Sequence, residues 1–236
     1  MDTLYVVMPA YNEEENIEKV IEDWYPVLNG KSEDSRIVIA DSGSSDRTHE
    51  ILLKLRDDRY PKLEIIDTKE RYHGPKVIAL YKYAMEHGAD YVFHTDSDGQ
   101  TDPNEFDAFW DQRDTYVGLF GNRTKREDGR DRAGVEKIVC ILLKLYFGVN
   151  IPDANAPFRL MKADVLKSYI DRMADDYAIP NIMITTFFVY YKESCAFPVI
   201  SFKPRMKGTD SINMMKILKI GIRSLKDFHS FKKAMR

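Results

Sequence analysis

The chain has 236 residues, 44% apolar and 31% charged, with 12 Gly and 10 Pro, which excludes disordered and collagenous classes and allows a sizeable core. Lys and Arg total 35 against 38 Asp and Glu, and this net charge of −3 gives no global basic field for nucleic acid. Two cysteines, Cys140 and Cys195, form neither a disulfide framework nor a C-x-x-C pair, and no apolar run reaches the ~18 residues of a membrane span, so a reducing, cytoplasmic setting is expected.

Residues 1–5 lack a basic leader and run into an apolar stretch, residues 4–8, closed by Pro9; this reads as a buried strand. Asn12 and the acids behind it open a helix to Leu28, with Asn12 as its cap. Residues 36–40 form a second strand, followed by the turn Asp41-Ser42-Gly43-Ser44-Ser45-Asp46 and a helix to about Arg56. A third strand covers residues 63–67, a helix residues 76–87, and a fourth strand residues 91–95, which runs into Asp96-Ser97-Asp98. This alternation predicts an α/β domain, a Rossmann-like, mostly parallel central sheet with helices on both faces. Farther on, Cys140 lies in an apolar helical stretch and reads as core. The mixed-charge run 123–132 reads as a solvated loop or as a flap over anionic groups.

The C-terminal segment is basic and helical in its spacing. Over residues 214–228, Lys216, Lys219, Arg223 and Lys226 share one face, and Met214, Ile217, Leu218, Ile222, Leu225 and Phe228 the other. Such a helix either packs on the domain or lies on an anionic lipid surface.

Sheets of this kind bind ligands beyond the carboxyl ends of their strands. Residues 9–13, 41–44 and 96–100 should therefore meet at one polar, acidic crevice. Asp96 and Asp98 are spaced i, i+2, so their carboxylates point to one side of an extended chain. Two such groups repel unless a cation or proton lies between them, and Mg²⁺ or Mn²⁺ is suited to sharing them with substrate phosphates. Gln100 could add a third oxygen; the alternative is a solvated turn. Asp41 follows the second strand as a ribose-binding acid would, but the first turn has no glycine fingerprint, so a dinucleotide phosphate loop is missing. His49, His73, His87, His94 and His229 lack metal-ligand spacing and read as structural or exposed. Neither a Gly-x-Ser-x-Gly elbow nor a Walker loop occurs.

Four segments in order, Val6 to Glu13, Ile39 to Thr48, Gly74-Pro75-Lys76 and Thr95 to Asp98, resemble the family-2 inverting glycosyltransferases of GT-A fold. The later segments Asp96 to Pro103, Gly121-Asn122-Arg123, Asp153 to Arg159 and Phe202 to Gly208 are similar to the polyprenyl-phosphate hexose synthases, such as the dolichyl-phosphate mannosyltransferases. The resemblance implies a hexosyltransferase that uses a UDP- or GDP-sugar and a divalent metal, Mg²⁺ or Mn²⁺. Pro9, Ala10, Tyr11, Glu13, Asp41, Lys76, Asp96 and Ser97 would then bind the nucleotide, and Asp96, Asp98 and Gln100 the metal. Asp98, Arg123, Arg205 and Asp176 would form the catalytic set, the two arginines on phosphates and Asp176 (or Asp175) as a base where the acceptor is a saccharide hydroxyl.

Three positions depart from the pattern. Ser42 stands where a second acid is usual, Pro157 replaces a glycine, and Glu136 occupies a basic position that Lys137 or Arg132 would have to cover. The implied acceptor is a polyprenyl phosphate, with a saccharide hydroxyl as the alternative. A non-catalytic nucleotide-sugar-binding protein is the second alternative; a nucleotidyltransferase would need a glycine-rich basic loop that residues 9–13 do not provide. The expected division is a catalytic domain, residues 1–208, and a basic amphipathic C-terminal helix, residues 209–236, holding the protein peripherally at a membrane.

Overall fold

A strand buried on both sides must lie inside a sheet, and residues 4–8 are apolar on both. In the computed structural model, which describes residues 1–68, 72–126, 130–205, 228–229 and 231–232 (125–126 and 130–133 by backbone alone), this strand is β1, Leu4–Ala10. Leu4, Val6 and Met8 enter one hydrophobic cluster, while Tyr5 and Val7 enter another across the sheet. The chain continues through α1 (Ile17–Trp24), β2 (Arg36–Asp41), α2 (Thr48–Asp58), β3 (Leu63–Ile66), α3 (His73–Glu86) and β4 (Tyr91–Thr95). β1 pairs in parallel with both β2 and β4, and β2 with β3. The order β3-β2-β1-β4 therefore reverses between β1 and β4, which opens a crevice at their carboxyl ends.

The second half adds α4 (Phe106–Trp110), β5 (Gly118–Phe120), β6 (Asn122–Arg126), α5 (Arg130–Phe147), β7 (Phe158–Lys162), α6 (Ala163–Ile170), α7 (Pro180–Tyr190), β8 (Cys195–Ala196) and β9 (Val199–Phe202). β7 lies antiparallel between β4 and β5, β8 completes the seven-stranded sheet, and β6 and β9 pair apart from it. Helices α1, α2 and α4 cover one face; α3, α5, α6 and α7 cover the other. This is the mostly parallel α/β sheet expected from the alternating pattern.

Local boundaries differ from the sequence reading most at the first helix; α3 also starts at His73 rather than residue 76, and β1 runs on to Ala10. Asn12 does not cap α1: its φ of +55° belongs to a left-handed turn, and Asn16 stands at the cap position without a side-chain capping bond. Asparagine tolerates that conformation better than most residues. The first helix also stops at Trp24 rather than Leu28. Pro26 has no amide hydrogen, so residues 25–28 tighten into a 3₁₀ turn. Cys140 is half-buried rather than core, with burial pushing its thiol up to about 12.

The 214–228 stretch lies outside the described residues except for Phe228, which packs against Tyr146 and Phe147 at the end of α5. Phe231 packs against Tyr177 and Phe187. Phe228 and Phe231 thus pack against side chains of α5, α7 and the loop before α7.

At Gly74, in the first turn of α3, a Cβ would lie 2.3 Å from the Tyr177 carbonyl and 2.5 Å from that of Ala178. Both obstacles are backbone, so neither can rotate away. Gly74→Ala should therefore cost about 1–3 kcal/mol of stability through overpacking, measured by urea unfolding. An unchanged midpoint would mean that the 174–178 loop does not clamp α3.

Candidate active site

The crevice is built by three loops that hold one another. The Asn12 amide donates to Ser44 Oγ at 3.0 Å, and Asn12 Oδ1 accepts from the Ser45 amide at 2.8 Å, which ties the loop after β1 to the loop after β2. The Glu13 amide donates to Thr48 Oγ1 at 2.8 Å, and the Asp46 carboxylate accepts from the amides of Glu14 and Thr48. Asp46 thereby satisfies a donor at the start of α2, a role its turn suggested.

The end of β1 is gripped from two sides. Lys76, reaching from α3, donates from Nζ to the Ala10 carbonyl at 2.6 Å and lies 5.4 Å from the centre of the Tyr11 ring. Burial pushes its pKa down, against the pull of Asp41 and Asp67. Ser97 Oγ donates to the Pro9 carbonyl at 2.9 Å. Lys76 and Ser97 therefore brace the loop after β1 through its backbone. Tyr11 is exposed at the rim.

Asp41 is buried at the end of β2, between Ser44 Oγ and His49 Nδ1. Ser42, where a second acid was usual, has its Oγ 2.9 Å from Asp67 Oδ1 and accepts from the Thr68 amide. It links the ends of β2 and β3.

Asp96, Asp98 and Glu13 cluster at the switch point, and Arg205 is the basic group among them. Its guanidinium pairs with Glu13 and lies 3.9 Å from Asp98 Oδ2. Burial raises the Asp98 carboxyl to about 7, with the Asp96 and Glu13 charges adding to the effect. Burial also raises Glu13, against the stabilising contacts of Asn16 and Arg205. At Asp96, burial opposes ionisation, but His94, His73 and Arg123 outweigh it and hold the carboxyl low. Among the described residues, one guanidinium in contact with this cluster leaves an excess of carboxyl groups over cations.

That excess fits a divalent cation. Among the described residues no three His, Cys, Asp or Glu side chains form a complete metal cage. Two carboxylates at the end of a strand are instead the open set that Mg²⁺ or Mn²⁺ completes with phosphate oxygens and water.

Several expected ligands are engaged elsewhere. Gln100 is buried; its Nε2 donates to the Lys203 carbonyl at 2.9 Å, and its carbonyl accepts from the Lys203 amide at 2.8 Å. It ties the exit of β9 to the β4 loop, which brings Arg205 over the crevice. Arg123 forms a two-point pair with Asp153, at 2.7 and 2.9 Å, with Glu136 3.8 Å away. A guanidinium already paired this way holds the 153–156 loop rather than presenting a free phosphate contact. Glu136, in turn, accepts from the Ala154 amide at 2.8 Å, which explains an acid at that position. Asp176 is exposed on the loop between α6 and α7, beside an Asp175 that pairs with Lys82. Residues 127–129 of the mixed-charge run lie outside the description.

Sequence reasoning passed over His94. It is fully buried, directly beneath Asp96, and burial pushes it down to about 4, so the ring is neutral. The signal was present in the period of two that places His94, Asp96 and Asp98 on one side of the chain. Tyr81 Oη lies 2.8 Å from His94 Nδ1 and donates to Asn181 Oδ1 at 2.9 Å. Arg159, also fully buried, donates to the carbonyls of Ala154, Ala156 and Asn181.

The chain is similar to several known proteins. The undecaprenyl-phosphate 4-deoxy-4-formamido-L-arabinose transferase of Photorhabdus laumondii is 24% identical over 184 residues, 77% of this chain and 55% of the relative. Its counterpart in Pectobacterium carotovorum is 26% identical over the same share of each. The chain thus spans about half the length of the curated relatives it matches. Among solved structures, glucosyl-3-phosphoglycerate synthase from Mycobacterium tuberculosis with Mn²⁺, UDP-glucose and glycerol 3-phosphate superposes with a TM-score of 0.71 at 17% identity, covering 98% of this chain and 80% of that one. S. aureus TarS 1–349 follows at 0.57 and 16%, covering 86% and 59%. The expected GT-A-like fold is therefore present. The model for glycosyl transferase family 2 matches residues 5–170, which take in β1 through α6 and with them the three loops of the acidic crevice, and the chain belongs to that family.

Proposed function

We propose that this chain transfers a hexose from a UDP- or GDP-sugar to a polyprenyl phosphate with inversion at the anomeric carbon. The observation that carries this reading is the crevice itself: Asp96, Asp98 and Glu13 around Arg205, at the switch point between β1 and β4. Support comes from UDP-glucose and Mn²⁺ in the M. tuberculosis neighbour and from the undecaprenyl phosphate named for the relatives.

In this mechanism the loops after β1 and β2 hold the nucleoside, with Asp41 positioned for the ribose. A divalent cation held by Asp96 and Asp98 would supply charge neutralisation for the departing diphosphate. Arg205 contributes the second positive charge, fixed in place by Glu13 before the donor arrives, so little reorganisation accompanies bond breaking. A phosphate acceptor is already anionic at pH 7 and needs no strong base. Such an acceptor asks for no base from Asp176, which is exposed on the loop between α6 and α7.

The direct test is a melting panel of UDP, GDP, ADP and dTDP with Mn²⁺, followed by donor hydrolysis. One uridine or guanosine diphosphate should raise Tm by mass action, and the matching sugar nucleotide should release free sugar slowly. A panel without any shift overturns the donor reading; binding without hydrolysis favours the non-catalytic alternative.

A lipid acceptor also calls for a membrane-facing surface. No helix among the described residues is long and apolar enough to cross a bilayer. However, α5 exposes Ile138 (60%), Ile141 (57%) and Leu145 (74%) along one face, with Lys137 and Lys144 beside them. With the basic 214–228 stretch, this face would sit on anionic lipid, each basic residue adding ~1 kcal/mol. The protein should co-sediment with anionic vesicles at low salt and leave them as salt rises, and Lys137→Glu with Lys144→Glu should weaken binding several-fold. Truncation after Gly208 is a poor test because it also removes Phe228 and Phe231 from the core. Equal binding to neutral and anionic vesicles would remove the electrostatic role.

A further inference from the structure

The carboxylate at the end of β2 is covered by its own neighbours. The Asp41 side chain is 2% exposed, and both of its oxygens are engaged: Oδ1 accepts from Ser44 Oγ, and Oδ2 lies 3.2 Å from His49 Nδ1. His49, in the first turn of α2, is by contrast 52% exposed. The start of α2 is held at the carboxyl ends of the strands, because the Glu13 amide donates to Thr48 Oγ1 at 2.8 Å. The imidazole is thus the exposed end of the Asp41 pair, on the loop side of the sheet.

The hydrogen bonds around this pair decide what it offers. A carboxylate only accepts, so the Nδ1–H of His49 donates to Asp41. In the neutral ring Nε2 then carries a lone pair, and among the described residues that atom has no hydrogen-bond partner. Ser44 is already spent: its proton goes to Asp41, and its oxygen accepts from the Asn12 amide. Ser42, where a second acid is usual, is turned to Asp67 and Thr68. These contacts leave His49 Nε2 as an exposed acceptor.

We propose that His49 is a specificity-determining residue of the donor site, an inference that rests on the donor reading above: Nε2 accepts a hydrogen bond from the nucleoside, while Asp41 and Ser44 fix the ring. Two groups of a uridine or guanosine diphosphate carry such a proton. One is a ribose hydroxyl; the other is the ring N–H of the base, at N3 of uracil or N1 of guanine. Cytosine and adenine have a lone pair at the matching ring nitrogen, which would face the lone pair of Nε2. Because the ring is held by Asp41 before any ligand arrives, little side-chain freedom is lost on binding.

The experiment uses the full chain, His49→Phe and His49→Gln, with Mn²⁺ present throughout. Affinities for UDP, GDP, their 2′,3′-dideoxy forms, CDP and ADP are read by titration calorimetry, folding by Tm, and the wild-type ring by ¹⁵N NMR. A ribose contact should show as a preference for the ribonucleotide over its dideoxy form. A base contact should show instead as a preference for UDP over CDP or GDP over ADP. His49→Phe should erase that preference and weaken the favoured nucleotide about 3–10-fold, the scale of one hydrogen bond. His49→Gln should restore most of both, because its side-chain carbonyl is an acceptor of similar reach. A wild type with neither preference, or a His49→Phe protein that keeps the preference or weakens every nucleotide equally, overturns the inference and leaves the donor reading intact. So does a wild-type Nε2 resonance that the favoured nucleotide does not move, whether or not His49→Phe folds. Wild-type protein that binds no nucleotide of the panel overturns the donor reading instead.

Discussion

Asp98→Asn should lower donor turnover by about two to four orders of magnitude while the protein melts no lower than the wild type, on the scale of removing one preorganised electrostatic group. The substitution keeps the shape of the side chain. Its remaining oxygen can still accept from the Gln100 amide, which lies 3.1 Å from Asp98 Oδ1. What it removes is a charge that burial and the Asp96 and Glu13 carboxylates already make costly. Repulsion therefore falls in the metal-free protein, and stability is maintained or rises. Arg205 keeps its Glu13 partner, so the guanidinium is not stranded. The combination separates function from fold: steady-state hydrolysis of the donor with Mn²⁺ reports the loss, and thermal melting reports the intact domain. Near-normal turnover would remove Asp98 from the catalytic set, and a lower Tm would mean that its charge stabilises the loop.

Arg159→Met should destabilise the domain by on the order of 3–5 kcal/mol, the scale of breaking a buried charged network. Arg159 is 1% exposed and donates to Ala156 O at 2.9 and 3.2 Å, to Asn181 O at 3.0 Å and to Ala154 O at 3.4 Å. Methionine can fill part of the volume but donates nothing. Thr185 Oγ1 lies 3.1 Å from Ala154 O and 3.0 Å from Asn181 O, yet it has one proton and cannot serve both. The Ala156 carbonyl loses both of its Arg159 donors. Urea unfolding should show a large drop in midpoint at an unchanged slope. A drop below about 1 kcal/mol would mean that water takes over the guanidinium's bonds, as in a far more open core.

The crevice was legible because its cause is local. Strand alternation and helix spacing can be read from near neighbours, and together they determine a parallel sheet whose reversal gathers the loops after β1, β2 and β4. Asp41 at the end of β2 and Asp96 and Asp98 after β4 therefore lie at the carboxyl ends of parallel strands, as residue order alone put them. Side-chain partners follow a different rule. Asp153, which takes Arg123, is 30 residues away; Lys203, whose carbonyl takes Gln100, is 103 away. Glu13, which holds Arg205, is 192 residues away. A charged or amide group has several partners of nearly equal worth until folding excludes water from all but one.

Residue order and composition by themselves determined the fold class, the family resemblance and the acidic character of the crevice. Only the tertiary structure decided which charges are free to meet a ligand. It turned Arg123 and Gln100 into struts, aimed Arg205 at Glu13 and Asp98, and set a buried histidine beneath Asp96. The physical reason is range: backbone geometry sets strand and helix periods within a few residues, whereas the choice of a polar partner depends on which distant groups the packed sheet and helices bring within about 3 Å.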